Sequence, residues 1–334
     1  MSTNTTTPVK VAVTGAAGRV GYDLLFRIAG GGMLGQNTPV ELRLIDLPGM
    51  MGELEGRAME LHDCAFETLD HVEIGSDERT MFDGIDFALL VAGKPRKAGQ
   101  DRADLLKANG ELFAKQGRAL NEVADRDVKV LVTGNPANTN CLIAAASAPD
   151  IPRHQFSGLT RLDHDRARHR LGKKLDVNVA QVKKMSIWGN HSSTMFPDVF
   201  HAEVDGRNAW EQIDDMEWLI NKYIPTVANR GADIISKRGA SSAASAANAT
   251  LAAMRDWSMG TPEGDWVSMA VPSEGAYGVP DYLFCSFPVT VDADGYHVVT
   301  GLHHSDFAHA RIHMSVQELI SEYQAVKSLG MIPS

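Results

Sequence analysis

The stretch Val11-Ala12-Val13-Thr14-Gly15-Ala16-Ala17-Gly18-Arg19-Val20-Gly21 limits the fold more than any other part of the chain. An apolar, β-branched run ends in glycines at i, i+3 and i+6, the pattern of a strand that turns tightly into a helix. Gly15 permits the turn, Gly18 lets backbone approach a ligand, and Gly21 lets the helix pack against the strand. Such a turn leaves unpaired N–H groups at a helix N-terminus, where a pyrophosphate is the usual occupant. Gly15, Ala16, Ala17, Gly18, Arg19, Val20 and Gly21 therefore form the first candidate binding segment. Glycine turns also follow strands with no ligand, so the rest of the chain has to decide.

Beyond the turn, strand and helix signals keep alternating. Strands are expected at Val9–Val13, Glu41–Ile45, Val72–Gly75, Phe87–Ala92 and Lys129–Val132, and helices at Tyr22–Ile28, Leu54–Leu61 and Asp101–Asn121. Nearly continuous apolar strands separated by helices imply a doubly wound parallel sheet covered on both faces, with ligands at the strands' carboxyl ends. After Pro152 the texture changes to polar turns, aromatic strands such as Tyr282–Val291, and helical patterns over Trp210–Lys237, with an interruption expected near Pro225, and over Ser305–Ser328. The small-residue run Ser241–Ala249 reads as a close-packed helix continuing the one before it. The expected organisation is a tail over 1–8, a dinucleotide-binding domain over 9–154 and an α+β substrate domain over 155–334, a size that suits about two domains.

Bulk properties remove several function classes. The net charge of −10 comes with no basic tract, which argues against nucleic acid or anionic membrane as a partner. The 3 cysteines, Cys64, Cys141 and Cys285, are far apart, so neither a disulfide framework nor a cysteine zinc site is expected. The polar, Thr-rich start does not read as a secretory signal, and a cytoplasmic location is expected.

Chemistry-bearing residues gather after strand ends. Asp46 follows the second strand, where a carboxylate can accept both ribose hydroxyls and repel a 2′-phosphate, favouring NAD over NADP; a turn aspartate is its plainer reading. Gly93 suits close approach of a cofactor, as does Thr133-Gly134-Asn135-Pro136, where Asn135 can reach ribose and substrate or simply complete a turn. Arg96 and Arg102 bracket a Gly-containing stretch beside this cleft. Asp163 and Arg166 share a helix face at i, i+3, which alone would be a surface ion pair worth under about 1 kcal/mol. His191, in Gly189-Asn190-His191, needs a carboxylate partner to be interesting, and Asp163 is the candidate: it would fix the tautomer and raise the imidazole pKa.

At these residues the chain resembles the NAD-dependent lactate/malate dehydrogenase family, in its cytosolic-type malate branch. The likeness runs from about Val9 to the C-terminus, through the glycine turn, Arg96–Arg102, Thr133–Asn138, Leu162–Ala167, Ile187–Ser192 and Gly239–Ala249. It implies a Rossmann-type domain followed by a catalytic domain, a homodimer, and the citric acid cycle reaction, reversible oxidation of (S)-malate to oxaloacetate. It also implies roles: His191 as general acid/base with Asp163 orienting it, Arg166 on the substrate's C1 carboxylate, Arg102 on the reacting oxygen, Arg96 on the second carboxylate, and Asn135 seating the substrate. Asn109 and Gln116 resemble positions that contact NAD. Gln100 departs from the methionine expected in many relatives.

Three rival functions meet difficulty at particular residues. A lactate-type dehydrogenase would strand Arg96 beside a methyl group, at a cost of several kcal/mol. Short-chain dehydrogenase chemistry needs Tyr-x-x-x-Lys, and the one instance, Tyr323 and Lys327, lies far from the glycine turn. A metal site at Asp306, His309 and His313 lacks a third strong ligand at zinc spacing, so no metal is expected.

Overall fold

The computed structural model describes residues 7–93 and 102–332. In the first half β1 (Val9–Thr14), β2 (Val40–Ile45), β3 (Leu69–Gly75), β4 (Phe87–Leu90), β5 (Lys129–Val132) and β6 (Phe156–Gly158) pair in parallel. Helices α1 (Arg19–Ala29), α2 (Met51–Asp63), α3 (Glu78–Met81), α4 (Arg102–Val123) and α5 (Ala137–Ala146) connect them. Alternate residues of one strand enter two different cores. Val11 and Val13 pack on one side of the sheet with Leu24, Leu25 and Ile28 of α1, while Ala12 faces a second cluster holding Phe113, Val130 and Val132. That period of two is why β1, β4 and β5 read as nearly unbroken apolar runs: both faces are dry, whereas β2 and the outer β3 carry charged residues. Each of the three α1 side chains contributes roughly 1.5–3 kcal/mol by its burial.

The chain begins in the middle of this sheet. β1 lies between β2 and β4, so successive strands go first to one side and then to the other. The crevice at that reversal lies over the carboxyl ends of β1 and β4, at Gly15 and Gly93.

The second half consists of α6 (Arg161–Leu175), β7 (Val182–Lys183), β8 (Ser186–Trp188), β9 (Phe196–Asp198), β10 (Glu203–Val204), β11 (Arg207–Asn208), helices α7 (Ala209–Ile213), α8 (Met216–Trp218), α9 (Ile224–Ala228), α10 (Arg230–Arg238) and α11 (Ala244–Met259), strands β12 (Val267–Pro272), β13 (Phe284–Asp292) and β14 (Gly295–Val298), and α12 (Asp306–Ser328). Strands β12, β13 and β14 join β6 antiparallel, so one sheet of order β14-β13-β12-β6-β5-β4-β1-β2-β3 crosses the expected domain boundary. Among the described residues no helix is long and apolar enough to cross a membrane.

Two helical expectations are corrected. Trp210–Lys237 is broken at the left-handed Asp214 (φ 35°) and turned at Asn229; at the expected place, just ahead of Pro225, the helix is widened into a π-helical turn at Leu219–Tyr223 and not broken. Ser241–Ala249 does not continue the preceding helix. Gly239 ends α10 in the left-handed region, and Ser241, Ser242 and Ala243 are irregular before α11 begins. The expected strand Phe87–Ala92 stops at Leu90, which frees Val91, Ala92 and Gly93 to line the crevice.

Gly189 fixes the geometry of the β8–β9 hairpin. Its φ is +91°, and a Cβ there would run into the Ser315 side chain of α12. Gly189→Ala is therefore expected to destabilise the protein by about 1–3 kcal/mol, through overpacking and positive-φ strain. Urea denaturation checks this; a stability within 0.5 kcal/mol of wild type, roughly the scatter of neutral surface changes, would contradict the packing described.

Candidate active site

The glycine turn forms one wall of a cleft of about 900 Å³. Gly15 has φ +68°, and a Cβ on it would lie 2.8 Å from Ala92 Cα; one on Gly21 would lie 2.7 Å from the carbonyl oxygens of Gly15 and Ala16. No other residue fits at either place. Gly18 is the N-cap of α1 and supplies no side-chain cap, so the first N–H groups of the helix are left for a ligand. Gly15, Ala17, Gly18, Arg19, Val20 and Gly21 line the cleft, as do Asp46 and Gly93; Ala16 does not, being fully buried beneath it.

Asp46 fulfils the plainer reading offered for it and stands where the other needs it. Its Oδ2 accepts the Ala17 N–H (2.8 Å) and its Oδ1 the Leu47 N–H (2.8 Å), so it braces the turn. It also lines the cleft, and a carboxylate oxygen can accept more than one donor.

Sequence reasoning missed Arg57. From α2 its guanidinium donates to the carbonyls of all three turn residues: Ala16, Ala17 (2.6 Å) and Gly18 (2.9 Å). Glu53 pairs with it at 2.8 Å, and it stacks over the Tyr22 ring at 5.1 Å. The Ala16, Ala17 and Gly18 N–H groups go to the Ile45 carbonyl, Asp46 and the Gly15 carbonyl, so with the turn braced on both sides it is the first N–H groups of α1 that are left for a ligand, with the Arg57–Glu53 pair behind the turn. That suits a pyrophosphate in a protein of net negative charge. Nothing in linear spacing ties Arg57 to the turn.

On the opposite wall, Gln116 lines the cleft and is nearly inaccessible to solvent; among the described residues its Oε1 has no hydrogen-bond partner. A buried, unpaired acceptor of this kind is what a ligand donor satisfies. Ser241, Ser242 and Ala243, the irregular link before α11, close another side.

The reacting end follows from sheet order. A Cβ on Gly93 would stand 3.6 Å from Gly134 Cα, so the β4 and β5 ends adjoin. Thr133 Oγ1 meets Thr250 Oγ1 of α11 at 3.2 Å, Gly134 is buried, and Asn135 is exposed. Asn109 is fully buried under this turn and donates to the Asn135 carbonyl (2.9 Å), so it supports Asn135 from beneath and is not in the cleft lining. Arg96 lies outside the described residues, as does the side chain of Arg102, the first residue of α4.

Asp163, Arg166 and His191 come together. Asp163 is completely buried; one oxygen accepts from Arg166 (3.2 Å) and the other meets His191 Nδ1. The plain reading of Asp163–Arg166 as a surface pair is thus corrected: α6 turns this face inward. Asn138, at the start of α5, completes the set. Its Oδ1 accepts the His191 N–H (2.9 Å) while its amide donates to the carbonyls of Gly189 (3.3 Å) and Phe284 (3.1 Å). Burial disfavours a charged His191 and Arg166 repels one, but the Asp163 charge and hydrogen bond outweigh both and leave its pKa raised. For Arg166 the balance tips the other way: burial lowers its pKa, partly offset by Asp163. The neighbouring His164 is a core residue, bonded to Ser268 at 3.0 Å and held neutral by burial.

Residues 9–157 match the model of the lactate/malate dehydrogenase NAD-binding domain, and residues 160–329 that of the lactate/malate dehydrogenase alpha/beta C-terminal domain. The chain belongs to the lactate/malate dehydrogenase family. A malate dehydrogenase from Naegleria fowleri is 46% identical, with a TM-score of 0.93 over 97% of this chain and 99% of that one. A Trichomonas vaginalis lactate dehydrogenase, solved with NADH and oxamate, is 37% identical, with a TM-score of 0.92 over 97% of this chain and 100% of that one. A Plasmodium falciparum malate dehydrogenase shares the fold, with a TM-score of 0.82 at 22% identity and coverage of 97% and 100%. The cofactor of the family domain is NAD, and the turn, Asp46 and the unpaired Gln116 oxygen fit it.

Arg57→Ala leaves three turn carbonyls without their shared donor. NADH binding, measured calorimetrically, should weaken by about tenfold, the equivalent of one charge-assisted hydrogen bond. Arg57→Lys should restore little, because an ammonium cannot span three acceptors as a planar fork does. Wild-type affinity in Arg57→Ala would remove Arg57 from this role.

Proposed function

We propose that the protein catalyses the reversible NAD-dependent oxidation of (S)-malate to oxaloacetate. The observation that carries this reading is the single buried carboxylate of Asp163, shared by an imidazole and a guanidinium. The glycine turn and Asp46 would hold NAD, whose nicotinamide would supply the hydride acceptor for the substrate's C2. The residues do the rest. Asp163 holds His191 by Nδ1, which leaves Nε2 to take the hydroxyl proton and later return it. Arg166 meets a carboxylate in bidentate fashion, so the acid's C1 end is oriented with its C2–OH toward His191. Asn135, exposed at the β5 end, supplies an amide to the substrate. Orienting the two reactants in this way can account for roughly 7–11 kcal/mol of the barrier.

The preference for a dicarboxylate rests on Arg96, with Arg102 assigned to the reacting oxygen; both roles are implied by the family resemblance. Beside oxaloacetate's second carboxylate Arg96 gains a charge-assisted contact, whereas beside pyruvate's methyl its charge is unpaired. The 46% identity to a malate dehydrogenase supports the same choice. Lactate oxidation is the second reading, favoured by the full-length likeness to a lactate dehydrogenase.

Steady-state rates with oxaloacetate and pyruvate, each with NADH and NADPH, separate these readings. Oxaloacetate with NADH should exceed pyruvate by roughly 10⁴ in kcat/KM, the discrimination typical of a polar group left unpaired. Arg96→Gln should move the ratio toward pyruvate by at least tenfold; an unchanged ratio refutes the role given to Arg96.

The raised His191 pKa has a signed consequence. Malate oxidation needs the neutral imidazole, so its rate climbs as pH rises through that pKa. Asp163→Asn removes the charge that raises it. The climbing limb should move to lower pH, while the plateau falls by about 10²–10⁴-fold because the tautomer is no longer held. A limb that stays in place in a folded variant means that Asp163 does not set the His191 titration.

A further inference from the structure

A second histidine–aspartate cluster lies outside this site. Asp198, at the end of β9, is fully buried; its Oδ1 accepts the Phe200 N–H (2.8 Å), and its Oδ2 accepts the Trp188 indole N–H (3.1 Å) and meets His201 Nδ1 (2.7 Å). His304 arrives from the segment just ahead of α12, and one donor atom from each of Asp198, His201 and His304 lies within 4.8 Å of the other two. Among the described residues His304 Nε2 is shut off from solvent with no hydrogen-bond partner. Its ring packs edge-on against Trp188 (4.6 Å between centroids) and His201 (5.4 Å). An unpaired buried nitrogen costs about 1–3 kcal/mol unless something occupies it.

We propose that Asp198, His201 and His304 form a site for one divalent transition ion of the zinc class, with water completing a tetrahedron. One oxygen and two imidazole nitrogens suit zinc, cobalt, nickel or copper and not calcium or magnesium, which take oxygen ligands. Bonds of about 2.0–2.2 Å put tetrahedral ligand atoms about 3.4 Å apart, so the Asp198–His201 pair, now 2.7 Å apart, opens slightly to admit the ion, and His304 already lies within 4.8 Å of both. The ion replaces the proton between His201 and Asp198. The Trp188 and Phe200 N–H groups already hold the carboxylate, as outer hydrogen bonds orient metal ligands elsewhere. The site joins the β8–β9 hairpin to the approach to α12, and so acts as a clamp and not in the chemistry at His191.

Full-length protein, freed of metal by chelation, is titrated with ZnCl₂ by calorimetry and with Co²⁺ by its visible absorption. One ion per chain, a tetrahedral Co²⁺ spectrum and a higher Tm are expected. His304→Ala and His201→Ala should each weaken Zn²⁺ binding at least tenfold. His313→Ala, which breaks the surface pair His309–His313 on α12, should leave it unchanged. Should His201→Ala not fold, His304→Ala and the wild-type Co²⁺ spectrum decide. No stoichiometric binding at about 100 µM Zn²⁺, a free energy of only about −5 kcal/mol, overturns the proposal, as does an affinity indifferent to His304→Ala or lost with His313→Ala.

Discussion

Everything at the reacting end depends on one carboxylate with no access to water. An ion in that position is stable only with its charge compensated and its lone pairs filled. Arg166 and His191 do both for Asp163, from residues on α6 and just after β8. The same contacts that satisfy the Asp163 oxygens therefore fix the separation and orientation of a guanidinium and an imidazole. The cost of burying the charge is what makes the geometry unique, since any other arrangement leaves an unpaired ion in the core.

Cofactor binding relies on a different device. The glycine turn is a backbone feature, and backbone alone does not decide which way its peptide groups point. Arg57 and Asp46 decide it, the first by gathering carbonyls, the second by taking the Ala17 N–H. The reversal of strand order beside β1 then sets this turn over a crevice where a long ligand can lie. The parallel strands β4 and β5 end in the same direction and so bring Gly93 and Asn135 to the same edge, while His191 comes from the separate β8–β9 hairpin.

Much of this was legible in the sequence, and the reasons differ by residue. Strands β1, β4 and β5 declared themselves because both their faces are apolar, and β2 by the alternation of Val40, Leu42 and Leu44 with Glu41 and Arg43. Gly15 and Gly21 were readable because backbone crowding admits no side chain there. Asp163, Arg166 and His191 could be paired because the chemistry requires a carboxylate behind an acid/base histidine. Arg57 and Asn138 were missed because each acts on backbone distant in sequence, and no spacing records that. The helix expected through Ser241 failed because small residues favour close packing in a helix and in an irregular wall alike, and only Gly239 marked the break. Asp198-x-x-His201 and His304 escaped notice for the same reason as Arg57: the fold, not the spacing, unites them.

The last described helix reaches back to the catalytic hairpin. Ser315 leaves no room for a Cβ on Gly189 and its Oγ takes the Asn190 N–H (2.8 Å), while Glu318 accepts from Asn190 (3.0 Å), Thr194 (2.7 Å) and Ser192. The segment bearing His191 is thus pinned by residues made more than a hundred positions later in translation. A nascent chain cannot present a seated imidazole until α12 has emerged and docked, so competence for chemistry arrives in one late step of synthesis.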